Sequence, residues 1–305
     1  MHQKELKSNL FLMTAAVIWG FAFVAQRIGA KYLGPFTFNG IRFAIGSFSL
    51  LPLLLIAKRQ ITCEPVVFKE TAGALPGGLI TGCILFMASS FQQIGLAEST
   101  AGKTAFITGL YIVLVPLLGI FLKQRIHFCT WMGVVAATTG LFLLSVTEKL
   151  TIAGGDLLVL AGAFLWAVHI LVIDYFSKKS DCLQLSLIQF ITCAALSLTV
   201  ACVFEKITVT GVYQALIPLL YGGICSVGVA YTLQVMGQRY AKPAHAAIIL
   251  SLESVFAGLG GFLILHEDLG LRGYLGCVLM LAGMLLSQLS GFFGNNHSVA
   301  KAEKV

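Results

Sequence analysis

The chain is a succession of long apolar stretches separated by connectors only a few residues long, and no other feature restricts its fold so strongly. Breaking it at charged and Gly/Pro-rich clusters leaves apolar segments near 9–29, 36–57, 72–95, 101–122, 128–147, 156–176, 182–204, 213–236, 243–265 and 271–292. Each is close to the ~20 residues that a helix needs to cross a hydrocarbon core about 30 Å thick. In lipid every backbone N–H and C=O must find its partner within the protein, so consecutive spans of this kind are helical. Connectors such as Lys58-Arg59, Lys123-Gln124-Arg125 and Lys178-Lys179-Ser180-Asp181 leave no room for a folded domain between spans. The expectation is an all-α membrane protein with about ten transmembrane helices.

Composition closes off the alternatives. Of 305 residues 58% are hydrophobic and only 11% charged, against roughly a quarter charged in a soluble domain, so the chain cannot cover a water-facing surface. A formal net charge of +7 raises nucleic acid as a partner, but Lys and Arg stand in ones and twos between apolar runs rather than on one basic face. The 8 Cys occur singly, without the paired spacing of a zinc or redox site, and read as small core residues. No metal or cofactor is expected. The first apolar run, from about Asn9 to Arg27, lacks a clear small-residue cleavage site and reads as the first span rather than a removable signal peptide.

Positive residues resist translocation, which gives the orientation. With the N-terminus inside, one set of connectors and tails holds Lys4, Lys7, Lys58, Arg59, Lys69, Lys123, Arg125, Lys178, Lys179, Arg239, Lys242, Lys301 and Lys304. The other holds Arg27, Lys31, Lys103, Lys149, Lys206 and Arg272. A bias of about two to one places both termini in the cytoplasm and requires an even number of spans.

The halves resemble each other. Ala16 and Trp19 match Ala163 and Trp166 at a shift of about 147, and Ile41-Arg42-Phe43 falls on Ile188-Gln189-Phe190. Further on the shift becomes about 143, aligning Trp131, Gly133 and Gly140 with Tyr274, Gly276 and Gly283. Two five-helix halves, 1–147 and 148–292, followed by a cytoplasmic tail at 293–305, account for this. Because five is odd the second half enters the membrane from the opposite side, which makes an inverted-topology repeat.

The string Ala15-Ala16-Val17-Ile18-Trp19-Gly20-Phe21-Ala22-Phe23, with Arg42 in the second span and the paired halves, resembles the EamA-type permeases of the drug/metabolite transporter superfamily. The likeness covers essentially the whole chain. It implies ten helices, cytoplasmic termini, a central cavity between the halves, and movement of small metabolites such as amino acids across a bacterial-type cytoplasmic membrane. Glu253 falls where many such permeases carry a Glu-Pro pair; here Ser254 follows, which removes the residue that would impose a kink.

Charged side chains at bilayer depth are costly unless they face a cavity or a partner. Glu253, about ten residues into the ninth span, reads as a proton- or amine-binding carboxylate or as a structural one. Arg42, about a turn and a half below the outer face, could snorkel, pair with an acidic loop residue or bind a substrate carboxylate. His169 follows Trp166 by three residues and shares its helical face. Polar and aromatic stripes recur at helical spacing: Thr104, Thr108 and Tyr111; Tyr231, Gln234 and Gln238; Trp19, Phe23 and Gln26. Packing between helices or at the headgroups is the alternative use of such stripes. The candidate substrate-binding set is therefore Trp19, Gln26, Thr108, Tyr111, Trp166, His169, Tyr231, Gln234 and Glu253, on the first, fourth, sixth, eighth and ninth spans. Trp19 and Trp166 would bound the site at its two ends. Gly73, Gly77, Gly78 and Gly82 give Gly-x-x-x-Gly spacings for close helix approach and leave an oligomer open.

These features point to a secondary transporter of a small-molecule substrate working by alternating access within the bilayer. No Walker motif occurs, so ATP is not the direct energy source, while proton coupling and facilitated exchange both remain open. A membrane-embedded enzyme acting on a lipid or polyprenyl substrate is the rival, and it would need an acid/base or metal-ligand cluster that the sequence does not offer. Reporter fusions at Lys301 and at Lys58-Arg59 are expected to be active in the cytoplasm, and those at Lys149 and Lys206 outside. The reverse pattern would overturn the orientation.

Overall fold

A computed structural model describes residues 2–61, 71–98, 101–124, 126–145, 154–265 and 270–302, and among these residues every regular element is helical. The boundary at 147 and 148 between the two halves, and Lys69, Arg125, Lys149 and Lys304 of the charge pattern, lie outside the described residues.

Helices α1 (His2–Gly29), α2 (Pro35–Ile61) and α3 (Thr71–Glu98) are followed by two shorter pieces, α4 (Ala101–Gly109) and α5 (Tyr111–Phe121), and then by α6 (Phe128–Ser145). Next come α7 (Gly154–Ser177), α8 (Cys182–Phe204), the short α9 (Val209–Gln214) and α10 (Leu216–Leu220), which runs through a π-helical stretch, Tyr221–Tyr231, into α11 (Thr232–Gln238). The chain ends in α12 (Pro243–Leu250), α13 (Glu253–Leu265) and α14 (Gly270–Ala302). Among the described residues seven helical stretches are long and apolar enough to cross a membrane: Gln3–Gly29, Ala74–Glu98, Thr104–Phe121, Gly154–Ser177, Cys182–Phe204, Leu216–Gln238 and Pro243–Ile264. Phe128–Leu143 and Gly270–Leu286 are apolar but shorter. The protein is an integral membrane protein.

Three of the apolar segments are not the uninterrupted helices that their sequences lead one to expect. The fourth breaks at Leu110, where the Leu110 and Val113 amides bond to the carbonyls three residues back, Ile107 at 3.2 Å and Leu110 at 3.0 Å. The ninth breaks at Ser251-Leu252 without any proline, and the amides of Ser254 and Val255 tighten in the same way onto Ser251 and Leu252. Hydroxyls take over here: Ser251 Oγ donates to the Ile248 carbonyl at 2.8 Å and Ser254 Oγ to the Ala105 carbonyl at 2.9 Å. Ser254 thereby ties the two breaks together. Under the shift of about 143 Leu110, the residue of the first break, corresponds to Glu253, the residue that follows the second. The third interruption is the π-helical stretch, whose i→i+5 bonds shift the register and which is frequent at functional sites.

Helices α6 and α14 pack backbone against backbone. A Cβ on Gly140 would lie 2.5 Å from the Gly276 carbonyl oxygen, and one on Gly283 would lie 2.7 Å from that of Gly133. The two contacts exchange partners under the same shift. Gly78 and Gly82 of α3 abut Ile188 and Thr192 of α8, so these small residues serve contacts within the chain.

Hydrogen bonds close both ends of the bundle. Where α1 begins, Ser8 Oγ donates to the Gly237 carbonyl at 2.7 Å, and Asn9 pairs with His245 at 3.1 Å. At the opposite end Arg27 donates to the Leu96 carbonyl at 2.6 Å. There the Glu205 carboxylate also accepts the amides of Phe36 and Thr37 at 2.9 and 2.7 Å, capping α2 where its dipole is positive.

Candidate functional site

Between these two ends lies a small central cavity of about 30 Å³. Helix α1 contributes Trp19, Phe23 and Gln26, which face it together because their spacing keeps them on one stripe. Thr108 and Tyr111 reach it from either side of the Leu110 break, and Leu250 and Glu253 from either side of the Ser251-Leu252 break. Helix α7 supplies Trp166 and Ile170, the π-helical stretch Ser226 and Tyr231, and α11 Gln234.

Tyr231 is the hub of the wall. Its ring lies 4.6 Å from that of Trp19 and 6.0 Å from that of Trp166, and is nearly parallel to the latter at 19°. Phe43 and Phe190 complete the cluster at 5.8 and 6.0 Å. Both indoles face the protein interior: Trp19 Nε1 donates to the Ser226 carbonyl at 3.2 Å and Trp166 Nε1 to Gln92 Oε1 at 3.1 Å. They flank one tyrosine instead of standing at the two ends of the space.

Polar groups converge on this aromatic frame. Tyr111 donates to Glu253 Oε1 at 3.0 Å. Gln26 Oε1, Thr108 Oγ1 and Gln234 Oε1 are buried and have no hydrogen-bond partner among the described residues. Buried oxygens left in that state are rare and costly, so a polar ligand would be stabilised against them.

Eight of the nine residues named from the sequence line this one cavity: Trp19, Gln26, Thr108, Tyr111, Trp166, Tyr231, Gln234 and Glu253. His169 does not. It is fully buried behind the wall, edge-on to Trp166 at 5.7 Å and bonded to Gln189 at 3.1 Å. Thr104 and Gln238, on the same stripes, also lie off the cavity; the Gln238 side chain donates to the Ile170 carbonyl at 2.9 Å. The break at Leu110 and the π-helical stretch shift the register, so a stripe drawn at uniform helical spacing overruns the wall.

Two contributors come from helices outside the expected set, Arg42 on α2 and Gln92 on α3. A cation in the middle of an apolar segment was the available signal for Arg42. Its side chain is 2% exposed, so it neither snorkels nor reaches a loop. Nε donates to Asn39 Oδ1 at 3.0 Å and the guanidinium sits 5.0 Å from the centre of the Phe43 ring. The Gln92-Gln93 pair was a comparable signal, polar within an apolar run.

Comparison with known proteins identifies the scaffold. A model of the EamA-like transporter family matches twice, over residues 6–146 and 153–289. The chain belongs to the EamA-like transporter family. It is similar, at 31% identity over 94% of its length and 87% of the relative's, to an uncharacterized transporter of Archaeoglobus fulgidus. A Bacillus subtilis protein, the uncharacterized transporter YoaV, is 24% identical over 92% of this chain and 97% of its own. A probable amino-acid metabolite efflux pump of Escherichia coli is 26% identical over 57% of this chain and 54% of its own. A solved crystal structure shares the fold with a TM-score of 0.74 at 18% identity, covering 92% of this chain and 96% of that one.

The cavity wall yields a direct test. In a Cys-free background Thr108→Cys and Tyr231→Cys are expected to react with a water-soluble thiol reagent, while Leu279→Cys stays inert. Equal inertness of all three would refute an accessible cavity.

Proposed function

We propose that this EamA-like transporter is a secondary transporter that moves a small metabolite, an amino acid or related compound, through the central cavity by alternating access. Its working parts are two inverted five-helix halves, 1–147 and 148–292, that rock about the cavity, with both termini in the cytoplasm and the protein seated in a bacterial-type cytoplasmic membrane. The observation that carries this reading is the meeting of two broken spans at a cavity with convergent polar groups. Discontinuous helices in corresponding positions of two halves are where transporters of this architecture bind substrate, because breaking a helix frees backbone and side-chain groups at midplane depth. The exchange of the Gly140–Gly276 and Gly133–Gly283 contacts under one shift supports a twofold relation between the halves, as does the double family match. The Escherichia coli relative, in its name an amino-acid metabolite efflux pump, supports the substrate class.

Glu253 is the residue at which a coupling proton would be carried, being a carboxyl at a helix start with a hydroxyl as its hydrogen-bond partner. Purified protein in liposomes, challenged with labelled amino acids, nucleosides and vitamins, is expected to exchange at least one of them. Glu253→Gln, which keeps shape and removes charge, is expected to express normally and to lower that exchange at least about tenfold, the effect of losing a charge-assisted hydrogen bond. Unchanged exchange by Glu253→Gln across a range of pH would reject the role.

A further inference from the structure

A second space opens at the end of the bundle where α1 finishes. It measures about 340 Å³, against about 30 Å³ at the centre, and is lined by the turn from Ala30 to Pro35 and by Gln93 and Ala97 of α3. Cavities of this size hold small organic ligands. Gln93 is 1% exposed, and its Oε1 has no hydrogen-bond partner among the described residues. Its Nε2 donates to the Gln26 carbonyl at 3.4 Å, near the long limit for such a bond, so the amide is held loosely. Lys31 brings a positive charge to the same wall. Among the described residues no carboxylate lies within ion-pair distance of it. Glu205 is taken up by the amides and hydroxyl at the start of α2, and Glu98 lies against Gly155 of α7. Arg27 is already engaged by the Leu96 and Ala97 carbonyls, which leaves Lys31 as the cation open to a ligand here.

We propose that this space is a second binding site, for a small carboxylate whose adjacent carbon carries a neutral O–H or N–H donor, with the carboxylate on Lys31 Nζ and the donor on Gln93 Oε1. The charge-assisted bond at Lys31 supplies affinity. Gln93 supplies selectivity, because a buried acceptor without a partner penalises any ligand that leaves it so. The donor is neutral because an ammonium group beside Lys31 would set two cations close together. Gln26 connects the site to the centre: its side chain lines the central cavity while its carbonyl holds Gln93, so the Gln26–Gln93 contact is the partition between the two spaces. A ligand that draws Gln93 towards itself weakens that partition. The site stands on its own geometry, while its role as a station for solute on the way to or from the central cavity rests on the transporter reading.

The test uses the full chain in lipid nanodiscs, where both faces are reachable, with Ala97→Cys as the single cysteine. This exposed position on the wall is expected to react with a water-soluble thiol reagent. L-lactate or L-phenyllactate is expected to slow that reaction. Propionate, hydrocinnamate and propylene glycol, each lacking one of the two groups, are expected to be at least about tenfold weaker. Lys31→Gln, a change on an exposed side chain, is expected to raise the half-protecting concentration of the hydroxy acid at least about tenfold. Gln93→Leu is expected to remove the advantage of the hydroxy acid over the plain acid. Failure of Ala97→Cys to react, no slowing by either hydroxy acid, or equal slowing by the compounds that lack one group overturns the site. Absence of protection in a protein that exchanges solute in liposomes overturns this site alone, whereas protection without exchange of any solute overturns the transporter reading and leaves the site standing.

Discussion

The requirement that every backbone polar group be satisfied without water governs this molecule. It turns each apolar run into helix and makes any interruption costly, so the interruptions mark where other groups repair the loss. At Ser251-Leu252 the repair is local, through tightened turns and the Ser251 hydroxyl. One turn before the Leu110 break the Ala105 carbonyl accepts the Ser254 hydroxyl from across the bundle. The two broken spans therefore hold each other, and the cavity is built on that crossing.

Charge placement follows the same logic. Glu205 lies at the bundle end and binds free amides of α2, giving a structural carboxylate a complete set of partners. Glu253 and Arg42, by contrast, border open space with incomplete partnerships. Burial alone does not separate these roles; the number of partners already in place does.

Much of this was legible in the sequence because lipid imposes a simple code. Trp19, Phe23 and Gln26 lie on an unbroken helix, and their common face follows directly from residue spacing. Tyr231 and Gln234 were found for the same reason, but Gln238 was not separable from them, since nothing in Tyr221–Tyr231 announces π-helical geometry. The breaks at Leu110 and Ser251-Leu252 were hidden because neither coincides with a proline; they depend on contacts between segments more than a hundred residues apart. His169 shows the limit of face arguments: it shares the side of α7 that carries Trp166, yet it packs against that indole from behind and is held by Gln189. Arg42 could be noticed from its charge, but its burial against Phe43 and its place on the cavity wall required the packing of α2 on the π-helical stretch.

The central claim, that the two halves open this cavity alternately, is tested most directly by distances at both ends of the bundle. Nitroxide labels at the exposed positions Leu6 and Tyr240 report one end, and those at Tyr32 and Tyr213 the other. Pulsed electron-spin resonance in lipid nanodiscs, with and without a saturating transported solute, should show one pair moving apart as the other closes. If both pairs keep their distances, or both move in the same direction, the alternating-access account is wrong.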